Sequence, residues 1–151
     1  MTASELQAYL HEHIPLSAAM QVAVEHLDES GVTLSAPLEP NINHRNTVFG
    51  GSLASLATLA AWSLVHVGLT DAGLPSRVVV MSSQIEYLAP ATGTFAALCL
   101  RPAPEEWQRF VNTVRRRGKG RIALTVEVRS EGALAATLAG TFVALAPQAN
   151  P

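Results

Sequence analysis

Residues 51–68 read as one long helix with apolar side chains on every side, Leu53, Leu56, Leu59, Ala61, Trp62 and Val65 pointing around the full turn. A helix of this kind has to be covered from several directions at once. The rest of the chain supplies the cover. Met20–Asp28 and Val32–Leu38 alternate in polarity around the turn Glu29-Ser30-Gly31, which predicts a hairpin. Arg77–Leu88 and Phe95–Leu100 predict two further strands, and Ile122–Arg129 alternates cleanly before Glu131-Gly132 turns the chain into Leu134–Leu145. Residues 4–13 predict a short amphipathic helix. Pro104–Arg117 predicts another, with Pro104 at its first position, Glu105 and Glu106 in the first turn, three arginines at the end and Gly118 as the stop. Strands and helices do not alternate regularly. The order therefore predicts an α+β fold, a curved and mainly antiparallel sheet wrapped around the central helix, in one domain spanning residues 1–151.

Nearly half of the residues are apolar and only 15% are charged, so burial against a second copy of the chain is expected. The N-terminal residues hold Glu5, Glu12 and two histidines without a basic start, which does not suit a secretory leader. The central helix, read as Ser52–Gly68 and carrying Ser55, Thr58, Ser63 and His66, falls short of a membrane span. With the single Cys99 in an apolar strand pattern, neither a disulfide framework nor a thiolate metal site is expected, and the cytoplasm is the expected location. A net charge of −2 argues against general nucleic-acid binding. Seven of the ten basic residues nevertheless fall between Arg101 and Arg121, which points to one anionic partner at one place.

The helix is preceded by the polar loop Asn41-Ile42-Asn43-His44-Arg45-Asn46-Thr47-Val48-Phe49, ending at Gly50-Gly51-Ser52. The first backbone N–H groups of a helix have no partners within it, and with the dipole behind them they favour an oxygen carrying or developing negative charge. Glycine there lets a ligand approach the backbone. The plain alternative is a tight turn at Gly50 and Gly51 with Ser52 as the N-cap.

The string Asn-Ile-Asn-x-x-Asn-Thr-x-Phe-x-Gly-Ser-Leu-x-Ser-Leu-Ala-Thr-Leu, feeding the apolar helix within six expected strands, resembles the hotdog superfamily of acyl-thioester enzymes over essentially the whole chain. More narrowly it resembles the YiiD C-terminal-domain family, labelled thioesterase-like and including proteins described as malonyl-acyl-carrier-protein decarboxylases. The resemblance implies a homodimer, possibly paired into a tetramer, whose two sheets join and whose two sites lie at the subunit interface. It implies an acyl thioester of acyl carrier protein or coenzyme A as partner, with the phosphopantetheine carried by the substrate. No metal, nicotinamide or flavin is implied.

Many hotdog hydrolases carry an Asp or Glu about two turns into this helix. Here that position is Thr58, and no carboxylate occurs between Ser52 and Thr70. Threonine is a poor general base. Decarboxylation of a malonyl thioester needs none; it needs hydrogen-bond donors on the thioester oxygen as the enolate forms. The Gly51 N–H, the Asn46 amide and the Thr47 and Thr58 hydroxyls are neutral donors of that kind, and they are the expected catalytic groups. This favours a malonyl-thioester decarboxylase supplying acetyl primer for fatty-acid synthesis. The alternatives are a thioester hydrolase and a silent acyl-thioester-binding subunit, which would protect ligand without forming product.

Phe49, Gly50 and Ser52 are expected to line the acyl site, and Ser83, interrupting an apolar strand, to meet pantetheine amides. His44 would steer an anionic substrate. Arg115, Arg116, Arg117, Lys119 and Arg121 would dock phosphate and the acidic face of a carrier protein; a solvated helix end is the plain reading of the same cluster.

Overall fold

The computed structural model describes residues 1–147. Thr2 caps α1 (Ala3–His13) through a reciprocal capping box with Glu5, satisfying the first free N–H groups of that helix. A second short helix, α2 (Pro15–Ala19), follows at once. The sequence reading missed it: Pro15 ends α1 and also starts α2, where a missing N–H costs nothing. The first strand consequently starts later than its alternation suggested, with β1 at Ala23–Asp28 and β2 at Gly31–Ala36. Asp28 accepts from the Ser30 N–H and Oγ to close the turn, and these bonds hold its carboxyl down at about 2.

The central helix α3 runs from Gly50 to Asp71. Its 22 residues and mean hydropathy of 1.5 do reach the length and polarity of a membrane span, contrary to the sequence expectation. Gly68 caused the misreading. It lies inside the helix, where the Trp107 ring packs against its Cα and leaves no room for a Cβ. The helix is a core helix all the same, since two-thirds of its most apolar window is buried within the fold.

β3 (Arg77–Tyr87), β4 (Phe95–Leu100), α4 (Pro104–Arg117), β5 (Lys119–Ser130) and β6 (Ala133–Leu145) complete the chain. The six strands form one antiparallel sheet in the order β1-β2-β4-β5-β6-β3. α3 packs against β2, β3, β4, β5 and β6. The alternation read in the sequence of β5 is a physical alternation, because Ile122, Leu124, Val126 and Val128 are buried while Arg121, Ala123, Thr125 and Glu127 are exposed. Leu56, Ala57, Ala60 and Leu64 of α3 meet this inner face in a core that also holds Phe95 and Phe142. Each fully buried leucine or phenylalanine there contributes about 1.5–3 kcal/mol.

Gly118, at φ +70, stops α4 in the left-handed conformation that favours glycine, and its N–H donates to the Val114 carbonyl. The reversal takes a single residue. β5 therefore begins at Lys119, and the basic run 115–121 is divided between a helix end and a strand.

Candidate active site

The loop before α3 is built by its asparagines. Asn41 is buried, and its Nδ2 donates to the Met20 carbonyl at 3.0 Å and the Pro37 carbonyl at 2.8 Å, tying the loop to the start of the domain. Asn43 accepts on Oδ1 from the Arg45 and Thr47 N–H groups and donates from Nδ2 to Thr47 Oγ1 at 2.8 Å. These two residues shape the loop. Asn46 sits at the crest at φ +62, a conformation asparagine tolerates better than most residues, and its side chain is exposed. Because Thr47 Oγ1 accepts from Asn43, its own O–H stays available to a ligand.

Ser52 is not the N-cap. The helix starts two residues earlier, with Phe49 in the cap position and no side chain bonding the first turn. Ser52 and Leu53 both donate their N–H to the Phe49 carbonyl, and among the described residues the Gly50 and Gly51 N–H groups have no acceptor. The first turn also holds no acidic residue. The positive end of a long helix dipole is thus left open. Phe49, 58% exposed, folds its ring against Gly51 and occupies the space a Cβ would take.

Thr58 is placed differently from its expected role. Its hydroxyl donates back to the Ala54 carbonyl at 2.8 Å, so the proton required of an enolate donor is already committed. Farther along the same stripe, Trp62 donates to the Val78 carbonyl and stacks on His66, which stacks in turn on Tyr9 of α1. Burial pushes the His66 pKa below its ordinary value of 6.5, with the neighbouring His13 adding to the effect. Burial likewise pushes the Cys99 thiol up to about 12, which leaves it unreactive in the core.

Tyr87, at the end of β3, was missed. Its Oη donates to the Gly50 carbonyl at 3.2 Å, and its ring borders Gly50. Only its position at the end of a strand was visible in the sequence, and that does not reveal which loop the strand end meets. Ser83 lies midway along β3 on an exposed stretch with Ser82 and Gln84. His44 is exposed in the loop.

The basic residues divide. Arg117, Lys119 and Arg121 meet Arg109 in a cavity of about 690 Å³ between α4 and the first residues of β5, with Phe110 and Val143 among its walls. Arg77 joins Arg117 and Lys119 in an adjoining hollow. Arg115 and Arg116 line neither; Arg115 donates to Asn112 on the exposed face of α4. The i, i+4, i+8 spacing of Arg109, Thr113 and Arg117 was the signal available for Arg109.

Residues 3–146 match the model of a family described as "Putative thioesterase (yiiD_Cterm)". The chain belongs to the YiiD C-terminal-domain family. A crystal structure of a protein of unknown function from Chlorobaculum tepidum is similar at 30% identity and a TM-score of 0.91, covering 96% of this chain and 94% of that one. A thioesterase-labelled structure from Shewanella oneidensis is similar at 29% identity and TM-score 0.83, covering 95% and 96%. A Pseudomonas aeruginosa structure, at 24% identity, TM-score 0.79 and 97% of both chains, shares the fold. The curved sheet around a long helix is thus the hotdog fold. Membership in the YiiD C-terminal-domain family places the protein among those that process acyl thioesters.

Proposed function

We propose that the protein decarboxylates a malonyl group carried as a thioester on acyl carrier protein or coenzyme A. The observation that carries this reading is the uncapped start of α3, directly after the loop that bears Asn46 and Thr47, with no carboxylate on the helix before Asp71. In the reaction the bond between the malonyl carboxylate and the α-carbon breaks and carbon dioxide leaves. The bond's electrons form the enolate, whose charge collects on the thioester oxygen. The Gly51 N–H, the Asn46 amide and the free Thr47 hydroxyl then donate to a charge present only after the ground state, which is the condition for lowering the barrier. Protonation of the α-carbon completes the acetyl thioester, and the Tyr87 hydroxyl, donating to the Gly50 carbonyl, holds the end of β3 against the helix start. Phe49 shields the mouth.

In this reading the protein works in the cytoplasm as a homodimer, without a metal or redox cofactor, and its product primes fatty-acid synthesis. The uncovered β3 edge supports the dimer, since it exposes Val79, Val80 and Met81 along a long strand. Thioester hydrolysis is the second reading, favoured by the family's description. It requires a base that the open part of α3 lacks.

Mass spectrometry of malonyl-acyl carrier protein incubated with the pure protein separates the two. Acetyl carrier protein without new free thiol is the expected result. Free thiol from malonyl or longer acyl carriers establishes hydrolysis instead.

A further inference from the structure

Two side-chain bridges join α3 to β3. At the start of the helix the Tyr87 Oη donates to the Gly50 carbonyl, and about three turns farther on the Trp62 Nε1 donates to the Val78 carbonyl at 2.8 Å. Between these bridges the two elements border a strip that the rest of the chain leaves uncovered. On α3, Leu56, Ala57, Leu59 and Ala60 are buried in the core, whereas Gly51, Ser55, Thr58 and Trp62, which share one face of the helix, are only half-buried. On β3, Val80 pairs with Phe142, Ser83 with Gly140 and Ile85 with Leu138. Phe142 and Leu138 are core residues, so Val80, Ser83 and Ile85 stand on the face of the sheet that meets α3. The bulge after Val80 keeps Val80 and Ser83 on that same side. Val80 is nonetheless 44% exposed, and Ser83 is exposed. Helix and strand are thus the walls of a slot that opens at the uncapped start of α3.

Trp62 stands at the foot of this slot and is held there. Its indole is bonded to β3, stacks on His66 at 4.6 Å and lies nearly parallel to the Tyr9 ring at 6.2 Å. Tyr9 belongs to α1, which is itself anchored by the fully buried Leu6 and Leu10. Trp62 follows Gly51 by eleven residues, which is about 16 Å along a helix. Helical side chains lean towards the N-terminus, so the free length is shorter still. The walls also carry the hydroxyls of Ser55, Thr58 and Ser83 beside Val80 and Ile85. A long alkyl chain gains by burial against apolar surface, while a short acyl group ending in a carboxylate is matched by hydroxyls.

We propose that Trp62 sets acyl length: it closes the slot between α3 and β3, so that the site takes malonyl, acetyl and other short acyl thioesters and excludes long-chain fatty acyl thioesters. This deepens the acyl-thioester reading above and rests on it.

A chain-length profile tests the assignment. Malonyl, acetyl, octanoyl and palmitoyl groups are loaded on acyl carrier protein, with the coenzyme A esters in parallel. Calorimetry measures binding, and mass spectrometry follows the products. In the unmodified protein palmitoyl should bind more weakly than malonyl on the same carrier by about tenfold or more. Trp62→Ala should shrink that ratio by about tenfold, and Trp62→Phe, which keeps a ring, should restore most of it. Melting curves confirm folding, and Trp62→Leu replaces the alanine variant if that one is unstable. An identical profile in the shortened variant and the unmodified protein overturns the proposal. Equal affinity of the unmodified protein for malonyl and palmitoyl, or no binding of any of these thioesters, does so too. The products separate this result from the decarboxylase reading. Free thiol, or no product, together with a profile shifted by Trp62→Ala removes the decarboxylase and leaves the role of Trp62 standing. Acetyl carrier with an unmoved profile does the reverse.

Discussion

At its start α3 presents Gly50 and Gly51 with free N–H groups, an exposed Phe49 and a loop with Asn46 exposed at its crest. At its far end Gly68 is filled by the Trp107 ring, while Trp62, His66 and Tyr9 stack over the outer side. Both ends use glycine for close approach. At the start the space is taken by the exposed Phe49 ring beside the open helix end, and at the far end by a ring of the protein's own core. The difference shows how a single helix can be an anchor at one end and a reactive surface at the other: polar groups left unsatisfied at a mouth are tolerable only if the rest of the element is held firmly.

That contrast can be broken from either side. The largest expected effect is at the anchor, where Leu64→Ala, at a site only 2% exposed, should cost about 2–5 kcal/mol in denaturant unfolding. A smaller loss would mean the core around α3 collapses readily. Next is Gly68→Ala, whose methyl group strikes the Trp107 ring. Overpacking of this kind costs about 1–3 kcal/mol, against a gain of about 1 kcal/mol from alanine's helix propensity. A reduced melting temperature with turnover per folded molecule unchanged is expected; a rise in melting temperature would show that Trp107 moves freely.

At the mouth the pattern should invert. Asn46→Ala is expected to lower turnover at least tenfold, about 1.4 kcal/mol of transition-state stabilisation, with little change in melting temperature. Unchanged turnover would take Asn46 out of the mechanism. The smallest effect concerns pH. Because burial lowers the His66 pKa, the unfolded chain takes up that proton at a higher pH than the folded protein. Its contribution is complete above the ordinary value of 6.5 and is lost as pH falls below it towards the depressed folded value. His66→Phe should therefore lose less melting temperature than the parent between about pH 7.5 and about pH 5.5. Equal losses would locate the acid sensitivity in other groups.

Most elements were legible because their signals are local. Trp107, Phe110, Val111 and Val114 recur at helical spacing, and β5 alternates without a break. Pro15 misled because one residue served two helices, and Gly68 because a glycine demanded by a neighbouring ring looks like one that ends a helix. In the site, the Asn-rich loop and the Gly-Gly start were legible. The commitment of the Thr58 proton to Ala54, the arrival of Tyr87 at Gly50 and the gathering of Arg77 with Lys119 were not. These are pairings between residues whose sequence patterns are indifferent to one another.

The sequence by itself determined an apolar central helix, the strands needed to cover it, the glycines at its start and the basic composition of the segment after Arg101. Period and composition are enough for those, because each depends on neighbours along the chain. Only the tertiary structure decided which hydroxyl keeps a free proton, which phenol reaches the helix start and which arginines share a groove. Sheet register and crossing connections set those distances, and register is a property of strands that the sequence brings together only on folding.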